Sequence, residues 1–287
     1  MQIAINILFS ACNLLLIALG FALIYRVVRF FHFAHACTIA IGAYAAYTTS
    51  TLLGLPLIVA LVSGPIVAAA FSAMLEFGVY RPLRRKSASP LVLLLASLGA
   101  YIVFQNLLSI LFGDSTKLLG ISSSGGIVLA DARLTVVQVW TMGVAVAATA
   151  CVAFFLYGTK MGRASRAVAS QPFLAEAIGL NPDRIILLTL LLGSTLGGLS
   201  GTLLALDVGM TPTMGMTPLM MGVVVVIISG EQGVTRLVLA SLGLAICQHL
   251  TSWQFGSQWQ DTATFLVLLV YLLCKNVRTL WNTRFTS

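Results

Sequence analysis

Charge is what this chain has least of. Only 8% of its 287 residues are Asp, Glu, Lys or Arg, against 59% hydrophobic, and the mean hydropathy is +1.01. Soluble domains carry about 25% charged residues, so a soluble globular fold is excluded and the chain reads as a polytopic membrane protein. Its net charge of +8 does not point to nucleic acid, because the cations form short clusters between apolar runs and no stripe. Cysteine is sparse too. The five cysteines are odd in number, lie in or beside apolar runs and show no CxxC or metal-ligand spacing, so they read as packing residues.

Other absences narrow the function. There is no basic region ahead of the first apolar run, which is therefore expected to remain as a span. No GxxxxGK[ST] loop is present to bind a nucleotide, and neither HExxH, GxSxG nor a catalytic pair of carboxylates appears. The chain is not expected to be an enzyme, to hold a metal or to carry a cofactor. No acid falls in mid-span, and Glu76 lies near a segment end beside Arg81. That disfavours a proton- or sodium-coupled carrier, which needs ionisable groups at depth. Sodium sites built from backbone carbonyls would escape this test, so a secondary carrier, or a channel, working by itself is left open.

What the chain does have is apolar runs. Six can cross about 30 Å of hydrocarbon: Ile3 to Tyr25, Ala36 to Leu53, Leu57 to Tyr80, Pro90 to Phe112, Thr135 to Tyr157 and Arg184 to Leu206. Shorter runs follow at Thr217 to Ser229, Thr235 to Ser252 and Thr264 to Cys274, giving about nine segments in one all-α domain over residues 1–287. Placing every Lys and Arg except Lys117 and Arg133 on one face predicts an external amino end and a cytoplasmic carboxyl end. Thr217 to Ser229, bracketed by glycines, is too short to cross comfortably and is expected to be broken or re-entrant. The four-residue spacing of Gly193, Gly197 and Gly201, and of Gly64, Ala68 and Ser72, predicts closely packed helices. The outer loop, Gly113 to Leu134 with Ser122-Ser-Ser-Gly-Gly126, is long enough to meet something outside.

The longest polar interruption, residues 158–184, is expected to be ordered. Pro172 suits the first turn of a short helix, Gly179 its left-handed cap, and Asn181-Pro182 a stop before the next run. Phe173, Leu174, Ala177 and Ile178 form an apolar stripe, with Glu176 pointing elsewhere and Arg163 and Arg166 upstream. Such a helix fits a groove in a soluble partner or rests on anionic headgroups; the pattern permits both. His32 and His35, three apart, fall on one side if helical, but a metal wants at least three protein ligands and a membrane entry is the better reading.

Two separated stretches carry a resemblance. Leu23-Ile-Tyr-Arg-Val-Val-Arg-Phe-Phe-His-Phe-Ala-His35 with Gly42-Ala-Tyr44 is one. Gly162-Arg-Ala-Ser-Arg-Ala167 through Ala175-Glu-Ala-Ile-Gly-Leu-Asn-Pro-Asp-Arg184 is the other. With Arg81-Pro-Leu-Arg84 between them, the chain resembles the permease subunits of bacterial ABC importers for branched-chain amino acids, closest to the H-type subunit, over nearly its whole length. The resemblance implies a type II importer-like fold in the inner membrane. It also implies pairing with a second homologous permease, two cytoplasmic ATPase subunits and a periplasmic substrate-binding protein. By it, Ala175 to Gly179 matches the EAA-type coupling loop, which favours the partner groove for the helix at 172. Related permeases carry urea and short amides. Departures occur at His32-Phe-Ala-His-Ala36, where the family has Asn-Phe-Ala-His-Gly, and at Val223 to Glu231, where a Leu-Gly-Gly stretch is usual. As substrate pathway, the polar groups within spans are the candidates: Asn13, Tyr44, Gln105, Asn106 and Ser194.

Overall fold

The structure is a computed structural model that describes residues 2–119, 126–129, 132–230 and 233–284. Two helices of 27 residues, α1 (Gln2–Val28) and α9 (Pro182–Val208), are about 40 Å long each and form its axis. Both are buried round most of their middle turns, as helices apolar on every side must be. Glycines let them touch: a Cβ on Gly20 would lie 2.8 Å from the carbonyl oxygen of Gly193. Against α9 pack α2 (His35–Tyr47) and α3 (Leu57–Leu75), with Gly42 facing Gly198 and Gly64 facing Thr202. The predicted small-residue spacings do pack closely, but on different partners: Gly193 of α9 meets α1 and Gly197 and Gly201 meet α2, while α3 sets Gly64 against Thr202 and Ala68 against Gly198.

The remaining helices wrap this core. α6 (Val136–Gly158), α10 (Met216–Ser229) and α11 (Val234–Phe255) pack on α1, and α12 (Gln260–Arg284) packs on α11. α5 (Pro90–Phe112) lies along the side of the body, with Leu93, Ser97 and Leu108 its buried residues. A short hairpin of β1 (Gly126–Leu129) and β2 (Ala132–Thr135) precedes α6. Within the expected outer loop, residues 120–125, 130 and 131 lie outside the described residues, as do Glu231 and Gln232.

Among the described residues, six helices are long and apolar enough to cross a membrane: α1, α3 with its continuation to Arg85, α5, α6, α9 and α11. The other three apolar runs become α2, α10 and α12. α10 is a 14-residue helix, about 21 Å, and its first turn is interior: a Cβ on Gly215 would meet the carbonyl oxygen of Ala36. The run read as Ala36 to Leu53 behaves the same way. α2 starts beside Gly20 and Gly197, well inside α1 and α9, and is prolonged by a π-helical turn at Thr48–Leu52. His32 and His35 therefore do not share a helix face as expected, because His32 precedes α2. The link at residues 29–34 opens with Arg29 at φ 58° and is not helical. Ser97 of α5 accepts from Phe33 N–H at 3.2 Å and donates to the Phe31 carbonyl at 3.2 Å. Buried Phe30, His32 and Ala34 complete the cover, which irregular backbone needs at membrane depth.

Candidate functional site

The cation-rich end of the bundle is shaped by two helices between α6 and α9. Thr159 ends α6 and caps α7 (Lys160–Ser170), its Oγ1 accepting from Gly162 N–H at 2.9 Å. α7 turns back tightly enough that only glycine fits at 162, against the carbonyl of Phe155. Its inner face is Gly162, Ser165, Val168 and Ala169. Arg166 donates to the Leu156 carbonyl at 2.8 Å and stacks over the Tyr157 ring, while Arg163 is exposed. Arg29 ties the end of α7 to α1 by donating to the Ala169 carbonyl at 2.7 Å.

α8 (Pro172–Ala177) follows, with proline at its first position. Its end is closed by Gly179 at φ 85°, whose N–H donates to Glu176 O at 2.9 Å while Leu180 N–H reaches Ala175 O at 3.0 Å. That pair of bonds is a Schellman cap, which needs a left-handed residue at 179. Ala175 anchors α8 in an apolar cluster with Ile24, Val27, Val168, Ile185 and Ile186. The stripe faces away: Phe173 is 81% and Ile178 75% exposed, and Leu174, Glu176 and Ala177 are exposed beside them. Asn181-Pro182 starts the next helix directly. The Asn181 side chain caps α9 by accepting from Arg184 N–H at 3.2 Å.

A charge cluster adjoins this loop. After α3 comes a π-helical turn, Glu76–Tyr80, and then α4 (Arg81–Arg85). Asp183, in the first turn of α9, lies 3.2 Å from Arg81 Nε and 3.3 Å from Arg84. Arg84 also grips the buried Glu76 carboxylate with both amino groups. Glu76 thus pairs with Arg84, where the sequence set it beside Arg81. Sequence reasoning missed α7 and this cluster.

The polar span residues scatter. Tyr44 is buried against Phe112, with ring centroids 4.6 Å apart, in a cluster that includes Leu108 and Met210. Its hydroxyl has no partner among the described residues, nor has that of buried Ser194. Gln105 and Asn106 lie on α5, Gln105 half-buried and Asn106 exposed with its amide turned onto the Ile102 carbonyl at 2.7 Å. Asn13 is half-buried on α1. Tyr44 and α5 are brought together through Leu108 and Phe112; Asn13 and Ser194 sit on other helices.

Half-length helices that start inside an apolar bundle are a build found in membrane transport proteins. Comparison with known proteins makes this specific. The chain belongs to the family of branched-chain amino acid transport system permease components, whose model matches residues 3–274. It is 27% identical over 272 residues to the high-affinity branched-chain amino acid transport system permease protein LivH of Escherichia coli K12, covering 90% of this chain and 88% of that one. Against BraD of Pseudomonas aeruginosa, described in the same words, identity is 26% over 287 residues, 95% of this chain and 93% of BraD. A probable LivH of Methanocaldococcus jannaschii is 26% identical over 255 residues, 85% and 78% of the two chains. A chain of PsaBC from Streptococcus pneumoniae, solved in complex with Fab, shares the fold at TM-score 0.54 and 13% identity, over 94% of this chain and 91% of that one. The protein is a multi-pass inner-membrane permease of a transport system.

Proposed function

We propose that this permease is one half of the membrane channel of an ABC uptake complex. In it, a second homologous permease completes the pathway, two cytoplasmic ATPase subunits drive it and a periplasmic binding protein delivers the solute. The solute is a branched-chain or related amino acid, the class named for LivH and BraD. The observation that carries the reading is α8. A six-residue helix that exposes Phe173 and Leu174, with Ile178 exposed at its C-cap, while Ala175 is buried has apolar side chains turned outward. Helix-in-groove docking accounts for that face, and ATPase subunits are the partner proposed to cover it, with Arg163 and Arg166 beside it. Copurification tests this: the tagged permease should retain ATPase subunits in detergent and lose them when Phe173 is made Asp. Full retention with normal uptake would end the proposal.

The chain is further proposed to cross nine times, amino end outside and carboxyl end in the cytoplasm. The packing supports the alternation: α2 runs alongside α9, while Ser10 meets His249 and Leu23 lines one cavity with Val234 and Leu237, so α11 runs opposite to α1. For the solute path, α5 is the best-supported wall. Asn106 is exposed on a span; its amide N–H donates to the Ile102 carbonyl, and lipid offers its side-chain oxygen no donor. We assign Gln105 and Asn106, with Tyr44 beyond Leu108, to the path. Asn13 and Ser194 remain weaker members of it.

A further inference from the structure

A coupling loop has to move something inside the bundle, and its carboxyl end is joined to the interior by charged side chains. Residues 178–181 link α8 to α9, of which Asp183 is the second residue. From Asp183 the connection passes to Arg84, whose second partner, Glu76, is 1% exposed. Glu76 opens the π-helical turn between α3 and α4, a place where regular helix bonding is already interrupted and a bend is readily absorbed. The same turn ends in buried Tyr80, whose hydroxyl lies 3.1 Å from His32 Nδ1. His32 belongs to the link that leads into α2. Polar side chains thus tie the first turn of α9 to the α3–α4 bend and to the interior start of α2.

Stability alone is a weak reason for the buried pair, since apolar side chains of similar shape commonly serve as well. The three helices it ties are also those that pack backbone to backbone at Gly42, Gly64 and Gly198, so they move as one body if their ends are held together. We propose that Arg84 is a positioning residue for transport. Its guanidinium spans Asp183 and Glu76, so displacement of the coupling loop reaches α3 and, through Tyr80 and His32, the start of α2. This rests on the coupling-loop reading of α8.

The test uses the complete importer, purified and reconstituted, and measures solute taken up per ATP hydrolysed. Asp183→Asn keeps the shape of part-exposed Asp183 and leaves the Glu76–Arg84 pair whole, so folding is not at stake. The double variant Glu76→Gln with Arg84→Met removes the pair together and strands no buried charge. In both, ATPase subunits should copurify as in the wild type while uptake per ATP falls roughly tenfold, within the range usual for coupled sites. Arg84→Lys, which keeps the charge but not the fork that bridges two carboxylates, should fall between. A wild-type ratio in Asp183→Asn overturns the proposal, as does loss of the ATPases from that variant, which would make Asp183 a docking residue. Should the double variant not assemble, Asp183→Asn decides alone. Failure of the coupling-loop reading shows separately, as ATPase retention and normal uptake in Phe173→Asp.

Discussion

Gly201 meets the carbonyl of Ile39 so closely that a Cβ there would press on backbone, which has no rotamer to escape into. Gly99, on the outer face of α5, has nothing within 4 Å of its would-be Cβ. Overpacking a tight core costs about 1–3 kcal/mol, and a backbone neighbour puts Gly201→Val near the top of that range. We expect Gly201→Val to lower the yield of folded protein and its melting temperature in detergent, with Gly99→Val unchanged in both; equal stability of the two would refute the close contact at Gly201. Tyr44 separates folding from transport differently. Its buried hydroxyl has no partner among the described residues, so Tyr44→Phe should fold normally. With Asn106→Leu, it should alter uptake in an assembled complex, and wild-type uptake in both variants would remove them from the path. Polar type and span position were readable from sequence; which side of its helix each group faces was not, and that places Tyr44 and Ser194 in packed contacts.

The short helix α8 shows how an element can be legible to the residue. Proline at its start and glycine at its end each have one backbone role there, and the Schellman bonds of Gly179 and Leu180 are the consequence. Its neighbour α7 escaped because its inner face is made of Gly162, Ser165, Val168 and Ala169, mostly too small to write an apolar stripe. That α2 starts inside the bundle escaped for a tertiary reason. No proline or glycine breaks residues 29–34, and the break is held by Ser97 from another helix. On α8, Phe173→Asp should place a carboxylate in the proposed apolar contact, at a cost of about 3 kcal/mol after relaxation. Since each 1.4 kcal/mol is a factor of ten, ATPase association should weaken more than about a hundredfold. Gly179→Val should act more mildly, straining a φ of 85° that β-branched residues avoid. Pull-down with both variants measures this, and a headgroup-resting helix would show no change in either.

For the whole molecule the sharpest expectation concerns sides. α5 leads to Ser115 and α7 ends at Ser170, both exposed. If the cation clusters at Arg81 to Lys86 and Lys160 to Arg166 share the cytoplasm, the 23-residue span of α5 carries Ser115 to the outside. α6, another 23 residues, then returns the chain to the side of Ser170. On the proposed nine-crossing count, α2 and α10, whose starts lie side by side inside the bundle, each complete the crossing that their entry links begin. The proposed alternation would put α9 and α11 upward and α12 downward, with the carboxyl end on the side of the proposed ATPases. On a background with all five cysteines replaced, Ser115→Cys should react with an impermeant maleimide in intact spheroplasts and Ser170→Cys only after the membrane is opened. Reaction of both from one side would break the alternation at α6, and reaction of both in intact spheroplasts would detach α8 from the compartment in which ATP is hydrolysed.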